Sequence, residues 1–135
     1  MINLPRDIAQ WLEELVKAYA DAQETMPFGN LIGTPIAEAE LFHLAPHVAI
    51  KFRGIKPSKA NIQKTTETAL STYVANEDRE DLPMKDPLIT FSLCYLAAHL
   101  GLGLLSEAEV EEIMTQVEAK RDELSRLIGD YNQPE

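Results

Sequence analysis

Apolar residues along this chain recur at helical rather than strand spacing. From Arg6 to Glu24, the residues Ile8, Trp11, Leu12, Leu15, Val16 and Tyr19 fall at i, i+3, i+4, i+7, i+8 and i+11, one face of an amphipathic helix. Pro5 suits its first turn, Asp7 complements the positive end of the helix dipole, and Met26-Pro27-Phe28-Gly29-Asn30 supplies the break. The connection to Gly33 holds Met26, Phe28, Leu31 and Ile32, so it is predicted to lie over the core or line a pocket. Thr34-Pro35 reads as a cap followed by a first-turn proline, opening a short helix through Ala37, Leu41, Phe42 and Leu44. Pro46, with no amide hydrogen to donate, is predicted to stop or kink it. Residues 47–53 alternate partly, so a short strand competes with continued helix. Helix is preferred because no second strand pattern exists to pair with. Gly54 and Pro57 close the segment.

Ser58 can cap the next helix, whose apolar positions are Ile62, Ala69, Leu70, Tyr73 and Val74. An acidic loop from Glu77 to Lys85 leads to Asp86-Pro87, again a cap followed by proline. The stretch from Pro87 to Leu105 is nearly uncharged and about as long as a membrane span requires. Thr90, Ser92, His99, Gly101 and Gly103 dilute its apolarity, and its flanks are acidic without a basic anchor. It therefore reads as a helix buried on all sides by amphipathic neighbours. Ser106-Glu107-Ala108-Glu109 has the form of a capping box and opens a helix from 107 to 128, which Gly129 is predicted to stop. Within it Val110, Val117 and Leu124 recur every seven residues, with Ile113 and Leu127 three later and Met114 and Ile128 beside them.

These segments predict an all-α, single-domain bundle of about five helices over residues 1–129, built round a buried central helix (87–105), with a loose tail at 130–135. The first and last helices are predicted to pack on the central one. A chain of 135 residues, 45% hydrophobic and 25% charged, matches one globular domain. Its net charge of −10 opposes nucleic-acid binding and attraction to anionic lipid. The first residues lack the apolar run of a secretory signal, which makes the expectation a cytoplasmic protein. The single cysteine, Cys94, lies in the most apolar stretch and reads as a buried thiol.

Candidate chemistry is sparse. Glu40, His43 and His47 have the spacing of a helical metal site, but a carboxylate-bridged pair of metals needs a second Glu-x-x-His motif, and Pro46 interrupts the turn between the histidines. The acidic run from Asn76 to Asp81 invites a calcium reading but lacks the glycine and the terminal glutamate of an EF-hand loop. No Asp or Glu occurs between Glu40 and Glu67, whereas Lys51, Arg53, Lys56, Lys59 and Lys64 all fall there, giving +5 in that segment. This segment fits a solvated face, a contact with an acidic face of another subunit, or a phosphate-bearing ligand site. There is no Gly-x-Ser-x-Gly, Gly-x-Gly-x-x-Gly or Cys-x-x-Cys, so no catalytic residue and no cofactor is implied. The expectation is a self-associating interaction or regulatory protein, a homodimer meeting through Val110, Ile113, Met114, Val117 and Leu124, with a protein partner possible. The alternative is a helical protein that binds a metal through Glu40, His43 and His47, or a small anion through the basic segment.

Overall fold

A computed structural model describes residues 2–24 and 38–131, with side chains placed over 2–24 and 43–130. The described residues form a single all-α domain of six helices without strands: α1 (Ile8–Glu24), α2 (Glu38–Arg53), α3 (Lys59–Asn76), α4 (Pro87–Gly101), α5 (Glu107–Ala119) and α6 (Arg121–Tyr131). The apolar loop at 26–33 and the Thr34-Pro35 helix start lie outside the described residues.

The caps act as their chemistry requires. Asp7 accepts from the Gln10 amide at 2.9 Å, Ser58 from Asn61 at 3.1 Å and Asp86 from Leu88 at 2.9 Å. Ser106 and Glu109 exchange both bonds of the capping box at 3.2 and 3.0 Å. Two helices end in Schellman motifs on glycines with positive φ, Gly54 at 65° and Gly103 at 75°. In the first, Ile55 and Gly54 donate to Ile50 and Lys51; in the second, Leu104 and Gly103 donate to His99 and Leu100. The second motif stops the central helix at Gly101 rather than Leu105, because left-handed backbone at Gly103 turns the chain away.

Every residue of α4 from Leu88 to His99 is buried, as an evenly apolar helix requires, and α4 touches all five other helices. Helices α5, α6 and α1, from the predicted last and first helices, pack on it as expected, but its most extensive neighbours are α3 and α2. The reason is residue size. Helix α3 fully buries only Thr65 and Ala69 among its side chains, so its backbone comes close to α4, and a Cβ placed on Gly101 would sit 2.7 Å from Thr68 Oγ1. Leu70 and Val74, two positions of the predicted α3 stripe, are exposed instead. No described helix is long and apolar enough to cross a membrane.

Three boundary expectations are corrected. Pro46 neither stops nor breaks α2, which runs on to Arg53; its ring is buried, and Ala45, Val48, Ala49 and Ile50 around it are core residues. Burial of that face offsets the lost backbone bond. The predicted 107–128 helix is two, α5 and α6, separated at Lys120, where φ is −112° and ψ 18°. Gly129 lies inside α6, which continues to Tyr131, so the tail predicted from 130 begins as helix.

Candidate functional site

Four ionisable or polar side chains and one indole converge where α1, α2 and α4 meet. Glu14 lies on α1, Arg53 at the last residue of α2, and Tyr95 and His99 one turn apart on α4. The guanidinium of Arg53, 3% exposed, pairs with the Glu14 carboxylate and donates to the Asn3 carbonyl at 2.9 Å. It also lies 5.7 Å from the ring centre of Trp11, a cation–π distance. The Tyr95 hydroxyl donates to the other Glu14 oxygen at 2.8 Å. His99 meets the Trp11 ring edge-on at 5.1 Å and sits 2.9 Å from the Tyr95 carbonyl through Nδ1. A carbonyl only accepts, so Nδ1 carries the proton and Nε2 is left as a lone pair. That Nε2 is buried without a hydrogen-bond partner, as is Arg53 Nε.

Electrostatics here follow burial and the neighbouring charges. Burial pushes His99 down to about 4, the Tyr95 carbonyl opposes this, and the Arg53 cation adds to it, so the imidazole is neutral at pH 7. Burial and the adjacent Glu14 carboxylate together push the Tyr95 phenol far up. Cys94, one residue before Tyr95, is pushed up to about 12 by burial, which removes the thiolate a nucleophile needs. The cluster thus holds its ions as a neutral pair and pins three helices together.

On the outer face of α1 lies a groove shared with α6, about 520 Å³ in volume. Leu12, Val16, Leu124 and Leu127 form its apolar lining, and Glu13, Lys17, Lys120, Glu123 and Asp130 stand around them. Leu127 is 42% exposed, although its neighbours Leu124 and Ile128 are core residues. On the other side of Glu13 and Lys17 a second cleft of about 400 Å³ opens against the N-terminal residues Asn3, Leu4 and Pro5 and reaches Glu14 and Arg53. Glu13 and Lys17, themselves paired at 3.4 Å, therefore form a ridge between two hollows.

The residues picked out in the sequence are placed differently. Val110, Ile113, Met114, Val117 and Leu124, the predicted interface residues, are all at most 6% exposed within one chain. Helix α5 spends them against α4 and α1, and α6 spends Leu124 against α1. Of the seven-residue seam only Leu127 is left accessible. His43 and His47 are both exposed one turn apart on the unbroken α2, whereas the side chain of Glu40 lies outside the described residues. Among the described residues no three His, Cys, Asp or Glu side chains gather as a metal site. The basic segment is divided. Arg53 points inward to Glu14, Lys51 bonds Asp21 of α1 at 2.9 Å, and Lys56, Lys59 and Lys64 are exposed. In the acidic loop Arg79 holds Asp81 and reaches Glu111 of α5 at 2.7 and 2.9 Å, and its guanidinium keeps both carboxyls below the usual range.

Glu14 and Tyr95 were not singled out from the sequence. A signal existed for Glu14: it stands three residues after Trp11 and four before Ala18, inside the arc that the helix buries. No spacing rule links it to Arg53, 39 residues away. Comparison of the chain with family models, with curated proteins and with solved structures finds no match to any of them.

Proposed function

We propose that this is a cytoplasmic interaction or regulatory protein that works by self-association, as a dimer joined through the groove between α1 and α6, rather than by catalysis. The observation that carries this reading is Leu127, 42% exposed at the edge of a groove lined by Leu12, Val16 and Leu124. Leu127 is already more than half covered, so burying the rest of it contributes roughly 1 kcal/mol of the 1.5–3 kcal/mol that a whole leucine supplies. Charges of both signs surround the lining, the pattern of an apolar centre with a polar rim that protein interfaces use. Light scattering from micromolar to near-millimolar protein tests the reading. The expected result is a mass that rises to that of two chains, and a Leu127→Glu variant that stays at one chain with an unchanged circular-dichroism spectrum. A single-chain mass across the whole range overturns it.

A second reading, a divalent-cation site, draws on the continuity of α2 through Pro46, which sets two exposed imidazoles one turn apart. Zinc titration followed by the histidine NMR signals tests it. Coincident shifts of His43 and His47 that vanish in His43→Ala support it, and independent or absent shifts overturn it. The anionic-ligand version is weaker, because Lys51 and Arg53 already have carboxylate partners.

A further inference from the structure

Residues 2–7 run ahead of α1 without helical structure and lie across the body as a strap. Among the described residues, a single hydrogen bond joins residues 2–5 to the rest of the chain, from Arg53 Nη1 to the Asn3 carbonyl at 2.9 Å. The bonds of Arg6 and Asp7 run only to Gln10 and Trp11 of α1. Leu4 and Pro5 line two hollows at once, the cleft of about 400 Å³ that reaches Phe52 and Arg53, and another of about 630 Å³ that reaches Trp11, Leu105 and Ile113. They are therefore the wall that divides one trough into two. That wall is lightly held: Ile2 and Leu4 stay 41% and 37% exposed, and a segment with so few bonds and buried apolar contacts opens locally without unfolding the rest.

We infer that the trough is a docking site for an extended aliphatic–proline–basic segment of another protein, and that Leu4, Pro5 and Arg6 fill it as an internal copy of that segment, so that the strap lifts when the partner binds. The strap itself shows what the trough accepts. Arg53, held in place by Glu14, offers a fixed N–H to a backbone carbonyl. Pro5 favours extended backbone and brings no amide hydrogen that needs a partner. Trp11 and Phe52 supply aromatic walls of the kind on which proline-containing segments pack. Space remains on both sides of the strap, so a segment with larger side chains fills the trough better than the strap does. Charge selects the third position. Arg6 shares the larger hollow with Glu109 and Glu112, and the chain carries a net charge of −10, so a basic residue is drawn in there and an acidic one repelled. The inference does not rest on the dimer reading, whose groove lies on the other side of the Glu13 and Lys17 ridge.

Fluorescence titration of the full chain tests this, with Trp11, the single tryptophan, as reporter and an acetylated, amidated peptide of the strap's own sequence, Ile-Asn-Leu-Pro-Arg-Asp, as probe. The natural protein should bind it weakly, because its own strap competes at an effective concentration of about millimolar or above. Leu4→Ser/Pro5→Gly, which loosens the strap in place, should bind it at least about tenfold more tightly, since the apparent affinity is reduced by the fraction of chains whose trough is covered. A peptide with glutamate in place of its arginine should bind that variant at least about fivefold more weakly, and adding Glu112→Lys to the variant should abolish this preference. Circular dichroism checks the fold. If the double variant does not fold, Pro5→Gly alone, a change outside every helix, is titrated instead, with a gain of about threefold expected. Equal binding to the natural and loosened proteins, no binding to the loosened protein up to about 10 mM peptide, or a preference for arginine that is absent or that survives Glu112→Lys, each overturns the inference.

Discussion

Replacing Glu14 by Gln tests whether the Arg53 pair is the fastening that holds α1 to α2 and α4. Glutamine keeps the shape of the side chain and an acceptor for the Tyr95 hydroxyl, so the change removes the carboxylate charge and little else. Arg53 would then sit 3% exposed with a positive charge, one backbone carbonyl as acceptor and an already unpartnered Nε. Removing one member of a buried pair costs roughly 3–5 kcal/mol, most of it the stranded charge. Glu14 is itself 17% exposed, and water reaching its side of the pair puts the expected loss near the lower end, about 3 kcal/mol. With a urea slope near 2 kcal/mol per molar, the unfolding midpoint should fall by about 1.5 M. Trp11, the single tryptophan, lies beside both Arg53 and His99 and reports the transition by fluorescence. The pair of substitutions Glu14→Gln and Arg53→Met should together cost about 2 kcal/mol less than the sum of the two singles, because no unpaired cation is left inside. A loss under about 1 kcal/mol for Glu14→Gln, or simple additivity in the double variant, would show that the cluster is held by packing and not by charge.

His99 should make the protein acid-sensitive in a defined window. Its folded-state value is about 4 against 6.5 in the unfolded chain, so its contribution is complete above 6.5 and is lost as pH falls from there through 4, about 3 kcal/mol in all. Urea midpoints measured between pH 7 and 4 should fall less steeply for His99→Gln than for the natural protein, and equal slopes would refute the assignment. Gly101→Ala should destabilise, because the new Cβ would lie 2.7 Å from Thr68 Oγ1 and 3.3 Å from the Lys64 carbonyl. Overpacking of about 1–3 kcal/mol outweighs the roughly 0.5–1 kcal/mol that alanine returns in helix propensity. Thermal melting of Gly101→Ala with and without Thr68→Ala checks this: the second change should restore part of the loss, and a Gly101→Ala protein as stable as its parent would be contrary to the close α3 to α4 approach.

Much of the architecture was legible along the chain. The caps at Ser58, Asp86 and Ser106, the stop at Gly54 and the period of the apolar residues are local properties, set within a few residues of each other, and they marked α1, α3 and the starts of α4 and α5, whereas the end of α4 at Gly101 and the run of α6 through Gly129 were not marked. The burial of Cys94 and His99 was legible for the same reason, since a helix apolar on every side has no face left for water. Pro46 and Lys120 show where local reasoning fails. At Pro46 the neighbouring helices supply more through burial than the missing backbone bond removes, and at Lys120 a heptad pattern spans a break. Which apolar positions remain exposed is likewise undecided by period alone: Leu124 and Leu127 are equivalent in the pattern, yet α1 covers one and leaves the other at 42%. The Glu14, Arg53, Tyr95 and His99 cluster was the least legible feature. Its members come from three helices and meet only when those helices pack, so the charges that look like a basic segment and an acidic helix in the sequence become one buried neutral pair in the folded chain. Helix periods, caps and overall acidity are written in the sequence by short-range chemistry. The choice of which charge is buried, and which leucine stays exposed, belongs to tertiary packing, because it depends on distances between residues far apart along the chain.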